Sequence, residues 1–102
     1  MKIMLACNAG MSTSLVVAKM EEAAKAQGKD YKIWAVDSGS VESELGNFDV
    51  LLLGPQISYQ LRKITKLVDG KAPVATINPV DYGKCDGAAV LKSAEELFQK
   101  FN

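Results

Sequence analysis

The segment with the most chemistry in it is Cys7-Asn8-Ala9-Gly10-Met11-Ser12-Thr13-Ser14. Cysteine is the strongest nucleophile among the side chains once it is a thiolate, and backbone amides at a helix N-terminus favour that anion. Gly10 permits a turn closed to other residues. Ala9 is small enough to let the backbone approach a ligand. Ser12, Thr13 and Ser14 can cap a helix or offer hydroxyls to an anion. Amides from Asn8 to Ser14 that converge on one point would hold an anion such as a phosphoryl group. They would also spread the charge that builds up as phosphorus changes partners. The chemistry expected is therefore transfer of a phosphoryl group through Cys7.

Related loops fit less well. A Walker loop needs Gly-x-x-x-x-Gly-Lys followed by Ser or Thr, and a dinucleotide fingerprint needs three spaced glycines. The segment has no lysine and one glycine. A cysteine phosphatase of the Cys-x5-Arg type would place arginine where Thr13 stands. Arginine grips phosphate through paired charged hydrogen bonds. With a neutral hydroxyl instead, a phosphocysteine should outlast hydrolysis and reach an acceptor.

Four apolar runs flank and follow this loop: Ile3 to Ala6, Ile33 to Val36, Val50 to Leu53 and Val74 to Ile77. Continuous apolar runs suit strands covered on both faces, as in a parallel sheet between helices. Helical spacing joins Leu15, Val16, Met20, Ala23 and Ala24, with Gly28 as a stop. A shorter helix is expected at Ser40 to Leu45. Another spans Tyr59 to Val68, with Leu61, Ile64, Thr65 and Val68 on its inner side and Asp69-Gly70 closing it. A last one spans Ala88 to Phe101, with Val90, Leu91, Ala94, Leu97, Phe98 and Phe101 inward. The order β-α-β-α-β-α-β-α predicts one domain over 1–102. Ligands of such sheets bind beyond the carboxyl ends of the strands. Cys7-Asn8-Ala9-Gly10, Asp37-Ser38-Gly39, Gly54-Pro55-Gln56 and Asn78-Pro79 leave the strands on that edge.

Composition narrows the function. The 102 residues carry no formal net charge, which removes any general attraction to nucleic acid or an anionic membrane. Arg62, Lys63 and Lys66 read as a solvated helix face. The opening Met1 to Cys7 is too short for a signal-peptide core. The absence of histidine excludes Cys-His and Ser-His pairs, histidine metal sites and a phosphohistidine on this chain. Two cysteines without a Cys-x-x-Cys spacing argue for reduced thiols and against zinc. Cys85 follows no strand and no glycine loop, and is not expected to be catalytic. Asp81 is a candidate acid if the chemistry is hydrolytic.

Cys7 to Ser14 resembles the phosphocysteine loop of enzyme IIB of the bacterial sugar phosphotransferase system, in its lactose/cellobiose (chitobiose) branch. Asp49-Val50-Leu51-Leu52-Leu53-Gly54-Pro55-Gln56-Ile57 resembles that branch's third strand and turn. Tyr82-Gly83-Lys84 with Asp86-Gly87 resembles its segment before the last helix. The resemblance spans essentially the whole chain. It implies a flavodoxin-like α/β fold, similar to low-molecular-weight tyrosine phosphatases, with a parallel sheet in the order 2-1-3-4. It further implies that Cys7 takes a phosphoryl group from a phosphohistidine of enzyme IIA. Cys7 would then give it to a β-linked disaccharide (cellobiose, chitobiose or lactose type) held by membrane enzyme IIC. Residues 8–14 would bind the phosphate. No cofactor is expected, and the chain is expected to be a cytoplasmic monomer that visits the inner face of the membrane. Met11, Pro55, Gln56, Ile57, Tyr59 and Tyr82 are candidates for an apolar partner surface. A cysteine phosphatase and a flavin-binding module stay open as alternatives; Trp34, inside a strand, suits the core better than a flavin site.

Overall fold

The computed structural model describes residues 1–8 and 10–101, without the side chains of 10–12. The strands are β1 (Lys2–Cys7), β2 (Lys32–Asp37), β3 (Val50–Leu53) and β4 (Val74–Thr76). They form one parallel sheet in the order β2-β1-β3-β4. The helices are α1 (Gly10–Ala26), α2 (Leu61–Val68), α3 (Pro79–Gly83) and α4 (Gly87–Phe101).

Successive strand residues point to opposite faces, and both faces are apolar. Ile3, Leu5, Ile33, Val50, Leu52 and Ile77 pack with Val16, Met20 and Ala24 of α1 and with Val90, Leu91 and Ala94 of α4. Met4, Ala6, Leu51 and Leu53 face the other way, against Ile57, Ile64, Val68, Val41 and Phe48. The unbroken apolar runs are thus two interleaved stripes, one for each covering layer.

Several local expectations need correction. Ser40 to Leu45 is not a helix but a pair of 3-10 turns, Ser38–Ser40 and Glu42–Glu44, around the buried Val41. The Ser43 hydroxyl bonds the Ser40 carbonyl, a local alternative to helical pairing, and Gly46 at φ 89° ends the segment. Tyr59 precedes α2, in a 3-10 stretch over Pro55–Gln60 that Ile57 (φ −117°, ψ 25°) interrupts. Thr65 is exposed, its hydroxyl bonded to the Leu61 carbonyl. Leu15 is 52% exposed, because the inward stripe of α1 runs through Thr13, Val16, Met20 and Ala24 and leaves it beyond the edge. Phe101 is 47% exposed, one turn past the partly buried Leu97 and Phe98. Helix α3 follows directly where Asn78-Pro79 is expected only to leave the last strand. The Asn78 side chain accepts from the amides of Val80 (2.8 Å) and Asp81 (3.4 Å), and Pro79 opens the first turn. The stops at Gly28 and Asp69-Gly70 hold: all three residues have positive φ.

Away from the sheet edge that carries Cys7, Glu95 ties α4 to the start of β2. It pairs with Lys29 and accepts the Tyr31 hydroxyl at 2.7 Å. Burial is the largest influence on its carboxyl and raises it, but hydrogen bonds from Lys29 and Tyr31 and the Lys29 charge win, so the group titrates below the ordinary value. The same bond, with burial and the Glu95 charge, pushes the Tyr31 phenol up to about 12.

Candidate active site

Chain order places the site. From β1 the chain crosses to β2 on one side, then returns past β1 to β3 on the other. The connections diverge between β1 and β3, which opens a crevice at the carboxyl ends of those strands. Cys7 is the last residue of β1, and Gly54 is the first after β3. The Gly54 amide donates to the Ala6 carbonyl at 2.9 Å and continues the ladder to the site. A side chain there would meet Cys7 Cβ at 3.2 Å and Gln56 Oε1 at 3.0 Å, so glycine keeps room beside the cysteine.

The Cys7 side chain is 2% exposed. Thr13 Oγ1, on the first turn of α1, donates to Cys7 Sγ at 2.7 Å. Thr13 is fully buried, and its oxygen also lies 3.1 Å from the Tyr82 hydroxyl of α3. Thr13 occupies the place where a Cys-x5-Arg hydrolase carries its guanidinium. Here that place is filled by an uncharged donor aimed at sulfur.

Cys7 also lines a cavity of about 300 Å³ with Asn8, Ser14, Ala35, Val36 and Asp37. Asp37 stands opposite Cys7 in the β1–β2 register. It is the one charged residue among the described residues of that lining. A larger hollow, about 610 Å³, lies between Ser38-Gly39 and α2 and includes Lys63 and Lys66. It contains no cysteine, so size alone does not mark the chemistry. Arg62, Lys63 and Lys66 are all exposed.

Of the residues singled out in the sequence, Cys7, Asn8, Thr13 and Ser14 meet at this edge. Ala9 and the side chains of Gly10, Met11 and Ser12 lie outside the described residues. The expected partner surface divides. Gln56 and Tyr59 are exposed, Tyr59 by 75%, and Pro55 is partly exposed. Ile57 is fully buried, because the kink in its 3-10 stretch turns it under the sheet beside Met4 and Leu53. Tyr82 is 8% exposed, its ring in the α1–α4 core and its hydroxyl on Thr13. Neither can belong to an exposed rim. Asp81, beside it, is partly exposed on α3. Cys85 is partly buried, in a left-handed conformation (φ 52°) between α3 and α4, and packs on the core. Sequence reasoning missed Asp37 as a wall of the cavity, although its place at the end of β2 was legible. It also missed the inward hydroxyl of Tyr82, which depends on the unforeseen helix α3.

The Cys7 thiol at the end of β1 and the Thr13 hydroxyl on α1 thus lie together at the carboxyl edge of a doubly wound parallel sheet. The model of the family described as PTS system, Lactose/Cellobiose specific IIB subunit, matches residues 2–93, and the chain belongs to that family. It is 43% identical over 101 residues to the PTS system galactose-specific EIIB component of Lactococcus lactis subsp. cremoris (strain MG1363), covering 93% of this chain and 94% of the relative. The cellobiose-specific EIIB component of Lactococcus lactis subsp. lactis (strain IL1403) matches with the same identity and coverage. The oligo-beta-mannoside-specific EIIB component of Bacillus subtilis (strain 168) is 38% identical over 97 residues, with 94% of each chain covered. Among solved structures, the cellobiose-specific IIB component from Borrelia burgdorferi superposes with a TM-score of 0.82 at 34% identity, covering all of this chain and 94% of that one. The lactose-specific IIB domain from Streptococcus pneumoniae superposes with a TM-score of 0.85 at 14% identity, covering 95% and 96%, a likeness of fold. No helix among the described residues is long and apolar enough to cross a membrane.

Proposed function

We propose that this chain is the phosphocarrier of a sugar-importing phosphotransferase and that Cys7 carries the group. The observation that carries the reading is the Thr13 hydroxyl donated to Cys7 Sγ at the N-terminal turn of α1. In the first step the Cys7 thiolate attacks the phosphorus of a phosphohistidine on enzyme IIA. The S–P bond forms as the P–N bond breaks, and its electron pair returns to the imidazole, which leaves neutral with a proton on its other nitrogen. In the second step a hydroxyl of the sugar held by membrane enzyme IIC attacks the same phosphorus and gives its proton to a base beside the sugar. The P–S electron pair returns to Cys7 and restores the thiolate. Amides of residues 8–14 supply the field for both steps.

The lactose/cellobiose description of the family and relatives named for cellobiose and oligo-beta-mannoside support a β-linked disaccharide as the final acceptor; the relative named for galactose, a monosaccharide, does not bear on the linkage. Thr13 in place of an arginine argues against a hydrolase, since water then lacks the charged clamp that stabilises its attack. The test is labelling from a phosphorylated enzyme IIA. Cys85→Ser is expected to take up the group as the parent does, and Cys7→Ser to take up none. Uptake by Cys7→Ser, or loss in Cys85→Ser, reverses the assignment.

A further inference from the structure

Cys7, Thr13 and Tyr82 come from three elements and stand in series. Thr13 Oγ1 donates to Cys7 Sγ at 2.7 Å, and the Tyr82 hydroxyl lies 3.1 Å from Thr13 Oγ1. All three residues are buried. A threonine hydroxyl has one proton and two lone pairs. With that proton directed at sulfur, the threonine oxygen can only accept from its other neighbour, so Tyr82 O–H donates to Thr13. The series therefore has a direction, tyrosine to threonine to sulfur, and it ends on sulfur as an acceptor. Hydrogen bonds to an anion are stronger than bonds to a neutral group, and bonds in a buried chain polarise one another. Asp37 lines the cavity from β2, and Asp81 precedes Tyr82 on α3. Both are carboxylates, so neither supplies the positive charge that would hold a thiolate in their place.

We propose that Tyr82 is a positioning residue for phosphoryl transfer: by donating to Thr13 it fixes the threonine proton toward Cys7 and so favours the thiolate. The proposal rests on Cys7 as the phosphoryl acceptor. Tyr82 and Thr13 keep their protons throughout, and none crosses the series. When the S–P bond forms, sulfur loses its anionic charge and its claim on the Thr13 proton. That proton can then turn to a phosphoryl oxygen while Tyr82 still donates from behind. When phosphorus departs, the returning thiolate draws the proton back.

The test is alkylation of Cys7 by iodoacetamide across pH in a Cys85→Ser background, with helix content of each variant checked by circular dichroism. Tyr82→Phe keeps the ring and its packing and removes the donor. Its alkylation rate at neutral pH is expected to fall about three- to fivefold, and the deficit to close at alkaline pH, where every variant is ionised. Thr13→Val is expected to fall about tenfold, and Thr13→Ser to restore the parent profile. Adding Tyr82→Phe to Thr13→Val should cost nothing more, because tyrosine acts through threonine. A parental profile in Tyr82→Phe, a deficit equal at every pH, or a further loss in the double variant would overturn the proposal. Alkylation needs no phosphoryl donor, so this outcome is independent of the labelling that tests Cys7 as carrier.

Discussion

Gly87 opens α4 where that helix crosses α1. A methyl group built there would lie 2.2 Å from Lys19 C, 2.4 Å from Lys19 O and 2.5 Å from Met20 N. These are backbone atoms in the middle of α1, so no rotamer change relieves the clash. Ordinary contact begins near 3.4 Å, which requires the two helices to part by roughly 1 Å. That movement loosens Val90, Leu91 and Ala94 from Met20 and Ala24. Overpacking of a close core costs about 1–3 kcal/mol, and a backbone obstacle puts Gly87→Ala at the upper end. For a domain of this size the melting temperature should fall by about 10–20 °C. Gly83→Ala is the control: its added methyl meets nothing within 4 Å, and the position is exposed on α3. That variant should match or slightly exceed the parent, since alanine restricts the unfolded chain. The assay is thermal and urea unfolding followed by circular dichroism and by Trp34, the single tryptophan. A Gly87→Ala melting point within about 3 °C of the parent would refute the reasoning that glycine is what allows α1 and α4 to touch.

Gly54→Ala should separate stability from function. Its backbone (φ −60°, ψ 147°) suits alanine, so unfolding should change by less than about 1 kcal/mol. The methyl nevertheless presses Cys7 Cβ by a few tenths of an ångström, and phosphoryl acceptance should drop about tenfold; unchanged kinetics would show slack at the site. Asp37→Asn removes a negative charge from the Cys7 cavity, so alkylation by iodoacetate should quicken about two- to threefold at low salt. Neutral iodoacetamide should respond less, and an equal response would mean that Asp37 does not act through charge. The Lys29–Tyr31–Glu95 cluster predicts the acid and alkaline limits of stability. Glu95 titrates below its unfolded value, so its contribution is complete above about pH 4.5 and is lost as pH falls through the lower folded value. Tyr31 is raised from 10.0 to about 12, so its contribution is complete below pH 10.0 and is lost between there and about 12. Glu95→Gln should remove about 1 kcal/mol at neutral pH and flatten both limbs; a variant with the parent's pH profile would contradict this.

The sheet was legible because its residues follow one rule. Ile3 to Ala6 and Val50 to Leu53 are apolar without interruption, and both faces of β1 and β3 proved to be covered. The loop was legible because cysteine, glycine and hydroxyls stand in series between a strand and a helix. The Ser40 to Leu45 segment misled because the Ser43 hydroxyl satisfies a backbone group locally, while Val41 is buried in the core and Leu45 packs partly buried against it. Ile57 and Tyr82 misled for a different reason. Their direction depends on a kink and on a five-residue helix, both set by tertiary packing and not by periodicity. The signal for α3 was nevertheless present: asparagine before proline is a cap followed by a first-turn residue. The Thr13–Tyr82 contact joins positions 69 residues apart, which no local pattern encodes.

Trypsin separates the two thiols: Lys2 and Lys19 bound the peptide Ile3 to Lys19 with Cys7, and Lys84 and Lys92 bound Cys85 to Lys92. Mass spectrometry after phosphorylation by enzyme IIA should find one added phosphoryl group in the first peptide, with fragmentation placing it between Ala6 and Asn8. A group on Ser12, Thr13 or Ser14, or on the Cys85 peptide, would contradict transfer through Cys7.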